Sequence, residues 1–245
     1  MSRAPTTRIG LAGWSNPPAH KDRRPPSQSH LEYYAAHFDC VEINSSFYRP
    51  HRPSTYAAWA LATPPSFRFS VKMPRTITHD SGLRGTSRDM TEFFSGIEPL
   101  KRKLSVVLIQ LPPALDFERR VAKAFFRSIP RLSGVTLVCE PRHASWFTDT
   151  ADRLLAEWTV ARVAADPVRA KGADSPGGHP DLAYYRWHGS PQLYYSSYSD
   201  DRLDAFAKEV RQHGRGPTWC IFDNTARHAA WDNALTFAAR LRGAN

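Results

Sequence analysis

Acidic, basic and imidazole side chains stand at the ends of short apolar runs in this sequence, a placement suited to acid–base and anion-binding chemistry. The runs close on Glu42 and Asn44, Lys72, Gln110, Glu140 and Arg142, Asp166, Arg186 and His188, and Asn224. Glu42, Glu140 and Asp166 supply acceptors and candidate bases, and crowding carboxylates together pushes one of them toward a useful general acid. Lys72, Arg142 and Arg186 suit an anionic group, because the planar guanidinium binds phosphate or carboxylate through two bonds. Imidazole, whose ordinary titration falls near neutral pH, enters with His188 and with His79 of the TITH run. The expected catalytic set is Glu42, Lys72, Glu140, Asp166 and His188, with Asn44, His79, Gln110, Arg142, Arg186 and Asn224 binding substrate.

Three acids with one or two histidines also invite a divalent-cation reading. Three cations at the same run ends oppose it, and no tight metal-binding motif is present, so the cofactor stays open. A second concentration is aromatic: Trp14, Phe47, Tyr48, Trp146, Trp187 and the 194–198 stretch YYSSY follow run ends, where they would form a stacking wall. Trp59 and Trp231 are expected in helices packing on the sheet.

Elements that would position these groups alternate along the chain. Eight strand-like runs span 8–14, 38–44, 67–73, 103–111, 135–142, 159–166, 182–189 and 218–224; helix-like segments span 29–37, 54–62, 86–100, 118–128, 148–157, 200–213 and 226–242. Ser54 and Thr148 read as N-caps, Gly214 and Gly243 as stops. Eight strands with intervening helices predict a single α/β domain over 1–245, a TIM (β/α)8 barrel, with active residues at the carboxyl strand ends. Residues 166–181 are rich in Pro, Gly and Asp, so an irregular loop is expected in place of the helix between strands six and seven. Period-two alternation gives Glu42 and Asn44, Glu140 and Arg142, and Arg186 and His188 a common face.

The chain has 245 residues, of which 41% are hydrophobic and 23% charged, and this composition excludes a disordered protein. Its 33 basic against 23 acidic residues give a net charge of +10. That excess fits either a polyanionic partner or a general bias toward Arg, since only seven of the 33 are Lys and no basic run of five exists. Cys40, Cys139 and Cys220 lie far apart in apolar runs, as buried thiols of a reducing compartment do. No signal-like or 18-residue apolar stretch is present, so a cytoplasmic protein without membrane contact is expected.

Six motifs resemble a known family. VEINSSFYRP from Val41, FSVKMPRTITH from Phe69, QLPP from Gln110, EPRHASW from Glu140, YYRWHG from Tyr184 and FDNTARHAAWDNA from Phe222 are similar, in order, to those of the YecE-like family, domain of unknown function 72. The resemblance runs from about Ile9 to Leu241 and implies a TIM barrel. It implies a polar motif set that adds Tyr48, Arg49, Thr78, His143, Trp146 and Asn233 to the residues above, and Tyr48, Arg49 and Trp146 join the expected binding set. It brings no reaction; a likeness to barrel nucleases is one of fold. The chain departs from the family pattern after Gly13-Trp14-Ser15, where 16–29 is Pro-rich and basic.

The leading expectation is an enzyme acting on a small anionic or phosphorylated ligand, with phosphoester hydrolysis as the reaction and nucleic acid among the candidate substrates. One alternative is a Schiff-base or isomerase-type sugar enzyme using a desolvated Lys72. The other is a non-catalytic nucleic-acid-binding protein exploiting the +10 charge.

Overall fold

The computed structural model describes residues 7–20, 23–213 and 216–243. Strands and helices alternate as the apolar runs predict, and the strands form two sheets. One sheet has the order β2 (Cys40–Ile43), β3 (Arg68–Lys72), β4 (Leu104–Gln110), β5 (Thr136–Glu140), β6 (Val160–Arg162) and β8 (Gly177–Gly178); the other runs β1 (Thr7–Leu11), β10 (Thr218–Phe222), β9 (Ala183–Trp187) and β7 (Ala164–Asp166). All pairings are parallel except that of β8 with β6.

Two departures from the expected strand pattern join the sheets. The run 159–166 is not one strand: Val163 passes from β6, which pairs with β5, to β7, which pairs with β9, while its N–H still bonds Cys139 O at 2.8 Å. On the other side, Ala12 bridges to Glu42 and the Gly13 N–H donates to Glu42 O at 2.9 Å. Gly10 permits this approach, since a Cβ there would collide with the Cys40 carbonyl.

Among the described residues seven α-helices cover one face of the strands: α1 (His30–Ala35), α2 (Pro53–Leu61), α3 (Ser87–Ile97), α4 (Arg119–Ser128), α5 (Asp149–Glu157), α6 (Asp200–His213) and α7 (Ala229–Arg242). Thr148 caps α5 as expected, accepting from Ala151 N at 3.3 Å, and Gly243 ends α7. Ser54 does not cap α2. Pro53 takes the first helical position, where its missing N–H costs nothing, and Arg52 becomes the cap residue. Gly214 lies outside the described residues. No helix forms in 167–181, as the composition predicts, but the segment contributes β8 and is fastened by Arg162, which donates to Gly172 O at 2.9 Å and Ser175 O at 3.2 Å. Among the described residues no helix is long and apolar enough to cross a membrane.

Strand parity separates two apolar layers. Residues such as Val71, Ile109, Cys139, Tyr185 and Phe222 pack against helices, with Trp231 and Phe237 of α7 fully buried among them. On the opposite face, Val106, Leu108, Val138, Ala161, Val163, Tyr184, Trp219 and Ile221 form a second cluster. The three cysteines are free and buried, divided between these layers. The polar residues of interest continue the second face toward the carboxyl strand ends.

Candidate functional site

Tyr184, Arg186 and His188 share a parity on β9 and just beyond it, so all three side chains enter the helix-free face. Arg186 is wholly buried and saturated with acceptors. Its Nε donates to Glu42 Oε2 at 3.0 Å, Nη2 to Glu42 Oε1 at 2.6 Å and to Asp223 Oδ2 at 3.0 Å, and Nη1 to Glu140 Oε2. His188 continues the network, Nδ1 to Asp223 Oδ2 at 2.8 Å and Nε2 to Glu140 Oε1 at 3.1 Å. Tyr184 donates to Glu42 Oε2 at 2.9 Å and to Ser70 Oγ at 3.0 Å beneath them. Strands β2, β5, β9 and β10 thus converge on one guanidinium, and Ser70 of β3 joins through Tyr184.

Such a network is stable only when complete, because removing one partner of a buried pair leaves an uncompensated charge and costs about 3–5 kcal/mol. Burial opposes the charge on Glu140, yet Arg186, Arg142 and His188 hold its carboxyl well below the usual range. Burial likewise opposes the charge of Asp223, which Arg186 and His188 keep low. These carboxylates are held ionised, each accepting from both Arg186 and His188.

Lys72 differs from its neighbours. It ends β3 at 6% relative exposure, its Nζ sits 4.1 Å from the centre of the Phe47 ring, and among the described residues no ion pair engages it. Burial, followed by repulsion from Arg186, lowers its pKa to about 8 despite attraction from Glu42, Glu140 and Asp223. His79 lies beside it, packed edge-on to Phe47 at 4.9 Å with Nδ1 2.8 Å from Thr78 Oγ1. Burial and the cations Lys72, Arg75 and Arg142 lower the His79 pKa to about 4, so the ring is neutral at physiological pH. Arg142 pairs with Glu140 Oε1, its Nε donating at 3.2 Å and its Nη2 lying 3.1 Å from the same oxygen.

Among the expected site residues, Glu42, Glu140, Arg186 and His188 come together in the ionic network, and Lys72, His79 and Arg142 gather beside it. Gln110, buried at the end of β4, pairs in register with Glu140. Asp166 does not join them: Tyr198 donates to its Oδ1 at 2.8 Å and Arg202 of α6 to its Oδ2 at 2.7 Å. Asn224 turns to the 194–198 loop, donating to Ser196 O at 2.9 Å and Asn233 Oδ1 at 2.8 Å. Trp146 is buried with its indole N–H on Leu115 O at 3.0 Å, and Trp187 stacks on Phe206 at 4.2 Å, so neither forms a stacking wall. Tyr48 and Arg49 point to solvent. Asn44 caps the Ser45–Phe47 turn by position alone, its Oδ1 unpartnered.

Asp223, Tyr184 and Ser70 are the participants the run ends did not reveal, and Phe47, expected in a stacking wall, packs under Lys72 instead. Asp223 has the signal: Trp219 and Ile221 face inward, so the next inward position on β10 is 223, not 224. Among the described residues, no group of three or more His, Cys, Asp or Glu side chains is arranged to hold a metal ion. Arg186 supplies the positive charge among Glu42, Glu140 and Asp223.

Parallel strands with covering helices and a polar cluster at the carboxyl strand ends define a TIM-barrel-like α/β protein. The chain belongs to the DUF72 family, described as proteins of unknown function, whose profile matches residues 8–245. It is 35% identical over 170 residues to the UPF0759 protein YecE of Escherichia coli, a match covering 66% of this chain and 60% of that relative. A DUF72 family protein of Thermotoga maritima has a TM-score of 0.80 at 27% identity, with 96% of this chain and 98% of that one covered. A sugar phosphate isomerase/epimerase of Parabacteroides distasonis, at 12% identity and a TM-score of 0.53 over 98% of this chain and 96% of that one, is alike in fold alone.

Proposed function

We propose that this protein is an enzyme whose chemistry centres on Lys72, acting as an amine nucleophile on the carbonyl carbon of a small substrate that carries an anionic group. The observation that carries this reading is the contrast at the strand ends. Every nearby carboxylate is locked onto Arg186 or His188, whereas Lys72 is desolvated, without an ion-pair partner, and has a pKa of about 8. A nucleophilic amine must be neutral, and desolvation supplies that form near physiological pH. Attack on a carbonyl forms a carbinolamine, and loss of water leaves an iminium. The neutral ring of His79 lies beside the amine and suits a proton acceptor.

The same contrast disfavours hydrolysis of a phosphoester through a carboxylate base. Glu140 and Asp223 are held below the usual carboxylate range by Arg186 and His188, which makes each a weaker base toward water. Anion binding remains part of the reading, since Arg142 and the protonated fraction of Lys72 are both cationic. We further propose that the two sheets close into one (β/α)8 barrel forming a single domain, which the Ala12–Glu42 bridge and the unbroken passage through Val163 support. A cytoplasmic location accords with three free, buried thiols.

Borohydride reduction in the presence of aldehydes, 2-oxo acids and sugar phosphates tests the amine. A reduced adduct mapped by mass spectrometry to Lys72, and missing from Lys72→Met, is the expected result. Adducts confined to surface lysines in every case would refute it.

A further inference from the structure

The carboxyl ends of β1 and β2 open into a cleft of about 530 Å³ bordered by Trp14, Ser15, Asn16, His30, Asn44 and Ser45. Past Gly13 it adjoins a recess of about 130 Å³ that reaches Trp231. Gly13 has φ of +104°, and a Cβ there would meet nothing within 4 Å, so the backbone borders open space. Among the described residues, no Asp, Glu, Lys or Arg side chain borders either part.

Seven buried side-chain nitrogen and oxygen atoms lack a hydrogen-bond partner among the described residues, and four belong to residues bordering this cleft: Asn16 Nδ2, Asn16 Oδ1, Asn44 Oδ1 and Trp231 Nε1. Each such group costs about 1–3 kcal/mol when left unmet. The buried Asn233 amide, by contrast, is satisfied at both ends, bonding the 197–198 backbone and the Ser197 side chain at 3.0 to 3.3 Å. The walls are also braced. Trp14 packs edge-on against Trp59 at 4.8 Å, and the Ser45 hydroxyl pairs with His51 Nε2 at 2.8 Å.

We propose that this cleft binds an uncharged sugar ring. The Asn16 amide in the cleft wall holds an unmet donor and an unmet acceptor side by side, a pair that two adjacent hydroxyls satisfy once the side chain turns into the cleft, because each hydroxyl both gives and accepts. Asn44 Oδ1 takes a third hydroxyl. The Trp14 ring offers apolar surface to the C–H face of a pyranose or furanose. A lining without acidic or basic chains selects against an anionic ligand here, which separates this cleft from the cationic surroundings of Lys72 and makes the inference independent of the amine chemistry.

Saturation-transfer NMR titrations with D-glucose, D-xylose, D-ribose and myo-inositol test the proposal on the wild type, Asn16→Ala and Asn44→Ala. At least one of these probes binds the wild type, and Asn16→Ala weakens it about tenfold, the loss of two hydrogen bonds. The melting temperature of Asn16→Ala stays at or above that of the wild type, because the substitution removes an amide that has no partner among the described residues. Binding by none of the four probes overturns the proposal, as does equal binding by both variants. Binding of adenine in their place would assign the cleft to a base and overturn it too, and a fall in melting temperature for Asn16→Ala would make the amide structural.

Discussion

Arg186 and Glu42 meet through two hydrogen bonds, Nε to Oε2 at 3.0 Å and Nη2 to Oε1 at 2.6 Å, and neither side chain has measurable exposure. This fork ties β2 to β9, strands that belong to different sheets. With Asp223 and Glu140 on the remaining guanidinium hydrogens, Arg186 serves as the counter-ion around which the strand ends are assembled. The cluster therefore acts first on stability and on the placement of its neighbours.

Replacing either member alone strands a buried charge. Arg186→Met and Glu42→Gln are each expected to cost about 3–5 kcal/mol, a fall in melting temperature of roughly 10 °C or more for a chain of this size. The double variant loses less than the sum, because the second substitution removes the charge left by the first. Thermal denaturation followed by circular dichroism checks both statements; strict additivity would show that the two side chains act separately.

Lys72 yields a prediction with a defined sign. Its folded pKa of about 8 lies below the ordinary 10.5, so between those values the unfolded chain binds more protons and stability rises with pH. Lys72→Met is thus expected to be more stable than the wild type at pH 7, and the advantage shrinks steadily as pH approaches about 10.5. Reductive methylation with 13C-formaldehyde gives a direct reading: the Lys72 methyl resonance shifts with a midpoint near 8, apart from surface lysines. A midpoint above 10 would remove the basis for the amine chemistry.

Glu140 has the opposite dependence. Its folded pKa is depressed below 4.5, so its contribution to stability is complete above that value and is lost as pH falls through the depressed one. Urea midpoints for the wild type should decline below pH 4.5. Glu140→Gln starts lower at pH 7 and declines less over the same acid range, so the two curves converge; parallel curves would show that other groups govern the acid transition.

Much of this was legible from strand parity. Glu42, Lys72, Glu140, Arg186 and His188 occupy inward positions, and alternation along short apolar runs selects those positions without reference to tertiary structure. Asp166 and Asn224 end their runs too, but their parity is outward: Ala161 and Val163 face in on one strand, Trp219 and Ile221 on the other. Both therefore meet outer-layer partners, Arg202 and Asn233. The break of the sixth run at Val163 was not legible, because it reflects a change of neighbouring strand, not a change in local preference. Nor was the burial of Trp146 and Trp187, since aromatic rings suit a stacking wall and an apolar layer equally well.

Asn233 links this outer layer to the ionic network. From α7 it accepts from the Tyr198 N–H at 3.0 Å and from Asn224 Nδ2 at 2.8 Å, and donates to Tyr198 O at 3.2 Å. Tyr198 in turn donates to Asp166 and accepts from the Gly189 N–H at 2.8 Å, beside His188. The same loop begins at Tyr194, whose ring stands edge-on to His188 at 5.8 Å. Asn233→Ala leaves the Tyr198 N–H and the Asn224 amide without their acceptor and is expected to cost about 2–3 kcal/mol. It also loosens the loop that covers His188 while leaving the Arg186 contacts in place. Hydrogen exchange distinguishes these effects: amides of 196–198 lose protection in the variant while those of β9 keep theirs. Equal loss in both segments would show that the loop and the strand open as one unit, and protection unchanged at Tyr198 would show that Asn233 does not hold the loop.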